Sequence, residues 1–415
     1  MNPSADPIRK RKSFILLMGI ILFFFTSMSK MLVPGPIYNQ LLFELHFDPP
    51  RIAAFGAFFM YAYAASQLLM AIYSARYGGV RILLIGGSLF TVGTLGFPLC
   101  SDPWLMYGFR VLAGFGAGTV FLGIAKLISD LYPLKFGLML GIALLIGYLG
   151  PVTGTVPLVW LISRIGWRPA LFLPGAVCLL AMAGILLTMR GTIRKTVSGQ
   201  SFRPLWTLLK NRPMLLLCFS SALIFGIYYV LLTQVGQKCF EDSYGLDKFR
   251  SSLCITMLSV VVAVNNVIAP LLLKWIGGRR KTFYCGGSFL LMAGCLSGWA
   301  ALRWQLPVWV LIAAFLLIAI PGGFFSFYSI MAKELNPPEV TGLAVAVLNF
   351  SAFACIALFG NLSGSILNCW KDVVKDGIFP RETYAALFAF LTVSAILSAL
   401  LGFLMPAGAE KKNSV

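Results

Sequence analysis

Long apolar stretches dominate the chain, and polar residues gather in the short segments between them. An uninterrupted apolar stretch of about 20 residues crosses a bilayer as a helix. Twelve such stretches are present, six on either side of a basic break at 190–212. They lie near residues 14–42, 52–75, 82–100, 104–131, 137–163, 168–189, 213–238, 249–275, 282–302, 307–332, 340–368 and 383–405. The pattern predicts an all-α membrane protein with 12 transmembrane helices, made of two pseudo-symmetric six-helix bundles at 1–190 and 213–415 with a basic cytoplasmic linker at 191–212.

The composition excludes several classes of protein. Of the 415 residues, 59% are hydrophobic and 11% are charged, against about 45–50% and about 25% in soluble domains. With a mean hydropathy of +0.87, a water-soluble enzyme and a nucleic-acid-binding module are excluded despite the net charge of +19. The single histidine, His46, argues against a histidine zinc site or a Ser-His-Asp triad, and the nine scattered cysteines form no C-x-x-C pair. We therefore expect no catalysis, no metal and no cofactor.

The distribution of Lys and Arg predicts the orientation. With the amino terminus in the cytoplasm, 20 of the 33 Lys and Arg fall in inner loops and tails, 11 fall on the outer side, and Lys30 and Lys126 lie within spans. Cytoplasmic loops carry the excess of positive charge in membrane proteins, so both termini are predicted to be cytoplasmic. Compact loops favour a bacterial inner (plasma) membrane. We expect a monomer that has the lipid bilayer as a partner.

An internal repeat relates the two halves. A Gly-Gly turn flanked by cations follows the second stretch and again the eighth, and Gly277 lies 199 residues after Gly78 (277 − 78). The same offset places two amides, Asn265 and Asn266, where the first half has Ser66 and Gln67. Each polar pair precedes its turn by twelve residues, about 18 Å along a helix. Polar groups at that depth must face protein or water.

Two lysines lie within the spans, where charge is costly unless it faces a cavity or a partner. Lys30 lies near the middle of the first stretch, before the helix-breaking sequence 34–36 (Pro-Gly-Pro), and we expect it to line a cavity. Lys126 has Asp130 at i+4, so a local ion pair is an open alternative to a cavity. Arg110, near the outer interface, lies 16 positions before Lys126. The two cations therefore point to nearly opposite faces of a regular helix and cannot line the same cavity.

Acidic residues are absent from the middle of every predicted span, since all 14 fall in tails, loops or span ends. Proton relays use Asp, Glu or His within the bilayer, and an exporter of cationic drugs needs an embedded carboxylate. A cavity with cations and amides but no carboxylate holds a positive potential. This favours an anionic or zwitterionic solute, while the solute, the direction of transport and the coupling ion stay open.

Several motifs resemble those of the major facilitator superfamily of secondary transporters, over essentially the whole chain. Residues 71–79 are similar to the signature G-x-L-a-D-R-x-G-R-[RK], with Ala75 in place of its Asp. Further similar segments are Arg-x-x-x-Gly-x-Gly at 110–116, Gly-Pro-x-x-Gly at 150–154 and Gly-Trp-Arg at 166–168. The resemblance implies two halves of inverted three-helix repeats, a solute site at mid-bilayer between them and alternating access. Because the family's Asp helps latch the cytoplasmic side, that latch is lost here or moved to other groups.

These observations together predict a transporter of a small organic, anionic or zwitterionic solute. Lys30 is the predicted anion contact, with orienting hydrogen bonds from Ser66, Gln67, Asn265 and Asn266. Further candidates for solute binding are Tyr38, Tyr63, Lys126, Tyr228, Gln234 and Asn349. The predicted cytoplasmic gate comprises Arg76, Gly78, Arg81, Gly277 and Arg280.

Two alternatives remain open. A proton-coupled drug or metabolite efflux antiporter would use Arg110 and Asp130 for coupling, with a proton or a counter-anion as a further partner. A receptor or scaffold on the same fold would transport nothing.

Overall fold

The computed structural model describes residues 7–132, 134, 136–189, 203–277, 279–337, 341–374 and 377–405. Within these ranges the chain forms a succession of α-helices. They are α1 (Pro7–Leu32), α2 (Tyr38–Phe43), α3 (Pro49–Gly96), α4 (Pro103–Leu131), α5 (Phe136–Thr153), α6 (Val156–Ile165), α7 (Trp167–Thr188), α8 (Arg203–Lys210), α9 (Arg212–Val230), α10 (Gly236–Tyr244), α11 (Lys248–Trp275), α12 (Arg280–Arg303), α13 (Val308–Gly322), α14 (Phe325–Glu334), α15 (Thr341–Asn368) and α16 (Arg381–Phe403).

The helices are those of an integral, multi-pass membrane protein. In the described ranges, eleven segments are long and apolar enough to cross a membrane, or up to twelve if the bent pair Ile142–Thr153 and Val156–Ile165 is one span. Large apolar side chains lie on the outside of these helices. Leu187 of α7 is 82% exposed and Val393 of α16 is 67% exposed. Such a surface suits lipid rather than water, and the predicted fold class is confirmed.

Proline accounts for the main interruptions of the spans, because it cannot donate the backbone hydrogen bond of a helix. Helix α1 ends at Leu32, two residues before Pro34, and the chain resumes as α2. Pro151 lies in the last turn of α5, and the axis bends by 48° between α5 and α6. Pro321 lies at the end of α13, where the tenth predicted span breaks before α14.

The repeated glycine turns have the predicted backbone conformation. Gly78 has φ +64° inside α3, where it separates the candidate spans Pro49–Met70 and Gly78–Leu99. Gly277, its counterpart in the second half, has φ +72°. Residues with a Cβ rarely adopt this conformation. The prediction that glycine is required by the turn geometry is therefore confirmed at both positions.

The chain divides into two compact units, and the first comprises Met1–Phe47 and Ala54–Ser201. In this unit α1 packs against α4, α5 and α7. Small residues allow close approach of the helices. A Cβ at Gly150 of α5 would meet the Phe24 backbone carbonyl oxygen of α1, and a Cβ at Gly114 of α4 would meet the Phe59 backbone carbonyl oxygen of α3. Gly150 therefore packs the predicted fifth span closely against the first.

The second unit comprises Asp48–Ala53 and Phe202–Val415. Here α12 packs against α13 and α16, and α9 packs against α15 and α16. Ser220 of α9 is hydrogen-bonded to the buried Tyr284 hydroxyl of α12 and donates to the Ser398 carbonyl of α16 at 2.8 Å. Residues 191–202 of the predicted linker lie outside the described residues. Its remainder forms α8 and the start of α9.

Candidate functional site

Two cations and two aromatic rings form a ladder inside the first unit. The Arg110 guanidinium carbon of α4 lies 4.3 Å from the Phe59 ring centroid, and Lys30 Nζ of α1 lies 4.3 Å from the Tyr63 ring centroid. Phe59 and Tyr63 are one turn apart on α3, and their rings stack with centroids 6.4 Å apart. A cation over an aromatic face within about 6 Å is attracted by the ring quadrupole. The four side chains therefore hold two positive charges in one aromatic cluster.

The break in the first span positions Lys30. Because α1 ends at Leu32, Lys30 lies in its last turn, and the prediction that it lies in the middle of the span is wrong. The predicted span, 14–42, lies too far along the chain because the apolar count continued past the helix-breaking residues 34–36. Lys30 is partly buried. The backbone between Leu32 and Tyr38 is not α-helical, and such backbone in a membrane lies against protein or a water-filled cavity.

The predicted polar pair at 66–67 extends the Lys30 cluster toward α4. Gln67 Nε2 donates to the Tyr63 hydroxyl and to the Gly118 carbonyl oxygen, both at 3.2 Å. Ser66 Oγ donates to the Tyr63 carbonyl at 2.8 Å, and a Cβ at Gly118 would meet Ser66 Oγ. Lys30, Tyr63 and Gln67 are therefore brought together, and Ser66 serves the contact between α3 and α4.

Arg110 is buried more deeply than the sequence suggested. It is 3% exposed, and the sequence pattern did not predict this burial. Its Nε donates to the Phe55 carbonyl oxygen at 3.1 Å, and its Nη1 donates to Ser29 Oγ at 3.4 Å. Since Ser29 directly precedes Lys30 in α1, the Arg110 guanidinium contacts the residue next to Lys30. Arg110 Nη2 is buried and has no hydrogen-bond partner among the described residues.

Two other candidates of the first unit are an ion-paired lysine and a buried tyrosine. Lys126 Nζ lies 3.5 Å from an Asp130 carboxylate oxygen, and the Lys126 side chain is 44% exposed. The local ion pair, one of the two alternatives for Lys126, is thus formed. Tyr38 is buried in the first turn of α2.

In the second unit the amides of the repeat lie beside the break between α13 and α14. The Ser326 backbone N–H donates to Asn266 Oδ1 at 3.3 Å, and Ser326 Oγ donates to the Asn266 carbonyl at 2.7 Å. A Cβ at Gly323 would lie 2.5 Å from Asn265 Cβ, and a Cβ at Gly322 would lie 2.7 Å from Tyr228 Cγ. Tyr228 and Asn265 therefore flank the same Gly-Gly break.

Two further candidates of the second unit lie elsewhere. Gln234 is 2% exposed in a π-helical turn, Leu231–Val235, and neither of its amide polar atoms has a hydrogen-bond partner among the described residues. It packs against Gly360 of α15. Asn349 is partly buried near the start of α15, eleven residues before Gly360. The structure thus separates Gln234 from Asn349 along that helix.

Sequence reasoning missed one buried ion pair. Lys238 Nζ lies 2.7 Å from Asp242 Oδ1, with side chains 5% and 2% exposed. The seventh span was predicted to end at 238, with Lys238 on the outer side, whereas the helix continues to Tyr244, so the predicted end of the span is wrong. The available signal was the i, i+4 spacing of opposite charges, which indicates a continuing helix.

The predicted gate residues lie at or next to the glycine turns. Arg81 follows Gly78 by three residues and is partly buried. Arg280 begins α12 and forms an ion pair with Glu334 at the end of α14, in which Nη2 donates to Oε1 at 2.5 Å. The side chain of Arg76 lies outside what the structure describes. Among the predicted gate residues, Arg280 thus has a defined ion-pair partner, Glu334.

A helical protein of eleven to twelve membrane spans, with cations and amides buried in its units, has the build of a membrane transporter. The chain matches the model of the Major Facilitator Superfamily over residues 15–360 and belongs to that family. The resemblance inferred from the motifs is confirmed.

Curated relatives include transporters with different printed activities. The chain is 26% identical over 359 residues to the efflux pump radE of Floropilus chiversii, covering 74% of this chain and 66% of the pump. It is 25% identical over 256 residues to a chloramphenicol resistance protein of Pseudomonas aeruginosa, covering 60% and 58%. Over 216 residues it is 28% identical to mouse monocarboxylate transporter 11, covering 50% and 46%. The chain thus spans about half to two thirds of the length of these relatives.

Solved structures support the same fold. A bacterial homologue of the human lysosomal transporter Spinster, in an inward-facing and occupied conformation, matches with a TM-score of 0.73 and 15% identity, covering 97% of both chains. A D-xylose-proton symporter matches with a TM-score of 0.70 and 15% identity, covering 95% of this chain and 98% of the symporter. At this identity the likeness concerns the fold alone.

Proposed function

We propose that the chain is a secondary active transporter that moves a small organic, anionic or zwitterionic solute by alternating access. The observation that carries the proposal is the contact of Lys30 with the ring of Tyr63, whose hydroxyl accepts a hydrogen bond from Gln67. An ammonium at a helix break, an aromatic ring and an amide one turn further on are suited to bind a carboxylate or phosphate and orient its organic part. The name of one relative, a monocarboxylate transporter, is consistent with such a solute.

We also propose the membrane, the oligomeric state and the orientation of the protein. We assign it to a bacterial inner membrane as a monomer, with both termini in the cytoplasm, because Lys and Arg concentrate in the loops of that side. Its partners are the lipid bilayer and the solute, together with a coupling proton or a counter-anion. Transporters of this family are in general not enzymes, so we assign it no enzymatic activity.

The first experiment identifies the solute class. Purified protein is screened by thermal shift against organic acids, sugar phosphates, peptides and cationic drugs, because a ligand that binds the folded state raises its apparent stability. Compounds that stabilise the protein are then tested for flux in proteoliposomes. We expect stabilisation and flux with anionic or zwitterionic compounds. Stabilisation without flux would indicate a receptor or scaffold instead.

Substitution of Lys30 tests the anion contact. We expect Lys30→Gln to weaken binding of the identified anion about 10- to 100-fold, since a hydrogen bond to a charged group contributes about 1.5–3 kcal/mol. Lys371→Gln is the matched control, because Lys371 is exposed in a short 3-10 turn outside the spans. Normal anion affinity in Lys30→Gln would refute the role of Lys30.

A second candidate is a proton-coupled efflux antiporter of drugs or metabolites, and the name of one relative, an efflux pump, favours its direction of transport. Such coupling needs a group that takes up and releases a proton. The sequence nominated Arg110 and Asp130, and the structure adds the buried Asp242. In proteoliposomes with an imposed pH gradient, this candidate predicts gradient-driven export of a cationic or neutral drug. If Asp130→Asn leaves pH-driven transport intact, Asp130 has no part in coupling.

A further inference from the structure

Helix α8 has one side packed on the protein and another side exposed. Leu208 is 2% exposed, and α8 packs against α9 and α15 of its own unit. Trp206 is 65% exposed and Leu209 is 40% exposed, and Lys210 is exposed as well. Spacings of three and four residues place Trp206, Leu209 and Lys210 on one side of the helix. The helix thus carries two large apolar side chains and a cation outward.

Asn211 fixes this helix at the start of a membrane span. Its Nδ2 donates to the Leu335 carbonyl oxygen and to Asn336 Oδ1, both at 2.9 Å, and its Oδ1 accepts the Met214 backbone N–H at 3.4 Å. The next residue, Arg212, opens the candidate span Arg212–Tyr244. Helix α8 therefore lies at the boundary of the membrane, fastened to the segment that follows α14.

The surroundings of α8 are basic. Arg212, Arg279 and Lys333 are exposed on the segments joined by the Asn211 and Arg280 contacts. Glu334 is the single acidic residue within the described parts of 203–212, 275–281 and 330–337, and Arg280 is its ion-pair partner. Trp275, at the end of α11, is 85% exposed. Positive charge and exposed tryptophan thus occur together at this end of the second unit.

We propose that α8 and its neighbouring cations form a binding surface for anionic phospholipid headgroups. Trp206 and Leu209 enter the interfacial layer, and Lys210 and Arg212 pair with headgroup phosphates. Tryptophan favours the membrane–water interface, and amphipathic helices with basic flanks bind anionic bilayers through both apolar burial and charge. An acidic protein partner would explain the cations, but a helix separated from a membrane span by one residue, Asn211, already lies at the headgroup layer. The proposal does not depend on which solute is transported.

The test measures lipid binding to the purified full chain in neutral detergent. Phosphatidylglycerol and phosphatidylcholine are titrated separately, and bound lipid is quantified by native mass spectrometry. We expect preference for phosphatidylglycerol in the parent protein. The double variant Lys210→Gln with Arg212→Gln should lose about 30-fold in affinity for that lipid, as expected for two juxtamembrane cations. The matched control is Arg303→Gln with Lys371→Gln, which removes two exposed cations remote from α8 and should keep the preference.

Two further arms separate the sources of binding. Trp206→Ala should weaken binding of both lipids by a similar factor, because it removes apolar insertion and leaves the charge. Inorganic phosphate should neither bind at lipid-like concentrations nor displace phosphatidylglycerol. The proposal is overturned if the double variant binds phosphatidylglycerol like the parent, if the control loses affinity equally, if Trp206→Ala has no effect, or if free phosphate competes. The last result would assign the cations to a small-anion site.

Discussion

The ion pair between Lys238 and Asp242 depends on two further donors. Asp242 Oδ2 accepts the Tyr384 hydroxyl at 2.7 Å and the Phe379 backbone N–H at 3.0 Å. A carboxylate buried with this many partners is compensated for the loss of water, whereas a buried ammonium that loses its partner is not. The pair also joins α10 to α16 and to the segment before it. Its effect on stability is therefore larger than that of a surface pair.

We expect Asp242→Asn to lower the free energy of unfolding by about 3–5 kcal/mol, because the Lys238 charge would stay buried without its counter-charge. Thermal unfolding of the purified protein in detergent measures the change. The control is Asp247→Asn, since Asp247 pairs with Arg250 in an exposed position, with side chains 59% and 74% exposed. It should have little effect. Equal unfolding midpoints for Asp242→Asn and the parent would contradict the expectation.

At the scale of elements, glycines of α4 allow this helix to pack closely against the backbone of α3. A Cβ at Gly114 would meet the Phe59 carbonyl oxygen, and a Cβ at Gly118 would lie 2.8 Å from the Tyr63 carbonyl oxygen. These are backbone atoms, which cannot turn away as a flexible side chain does. Phe59 and Tyr63 are also the two rings of the aromatic ladder. The spacing between the helices therefore sets where the ladder lies.

We expect Gly114→Ala to cost about 1–3 kcal/mol of stability, as overpacking does, and to weaken solute binding by moving Phe59. Gly108→Ala is the control on the same helix. A Cβ at Gly108 meets nothing within 4 Å, and alanine is a better helix former than glycine. Its stability should be unchanged or higher. Unfolding midpoints and ligand thermal shifts of the two variants provide the comparison, and an unchanged Gly114→Ala would show that α3 and α4 can separate freely.

The sequence predicts what depends on neighbours along the chain. Apolar length predicted the spans, the Pro34 region predicted the break in the first span, and the glycine turns predicted positive φ at Gly78 and Gly277. It failed where burial depends on which helices become neighbours. The burial of Arg110 was not predicted because its position in α4 does not reveal the Phe59 ring beside it. The seventh span was predicted to end at 238 because polar side chains ended the apolar count although the helix continued.

At the scale of the whole molecule, the uneven distribution of cations predicts the side of the membrane on which each loop lies. Cys369, just after α15, is exposed and belongs to a predicted outer loop. In a variant with Cys100, Cys285 and Cys355 replaced by Ala, we expect a membrane-impermeant maleimide to label Cys369 on intact cells. Lys210→Cys, in the same background with Cys369→Ala, should be labelled only after permeabilisation. Labelling of Lys210→Cys on intact cells, with Cys369 labelled only after permeabilisation, would show that the topology is the opposite of the one assigned.

The repeat has a consequence for how the two halves can diverge. In the first unit Gln67 of α3 donates to a backbone carbonyl of α4, and in the second unit Asn266 of α11 accepts a backbone N–H of α14. Both bonds join the second span of a half to its fourth, yet donor and acceptor are exchanged. If one ancestral segment was duplicated, the two halves kept a hydrogen bond at the same position, while the side chain that forms it changed from an amide donor to an amide acceptor. Under such a duplication, an alignment of the two halves at the offset of 199 residues detects the common origin, whereas a comparison of residue identities at these positions does not.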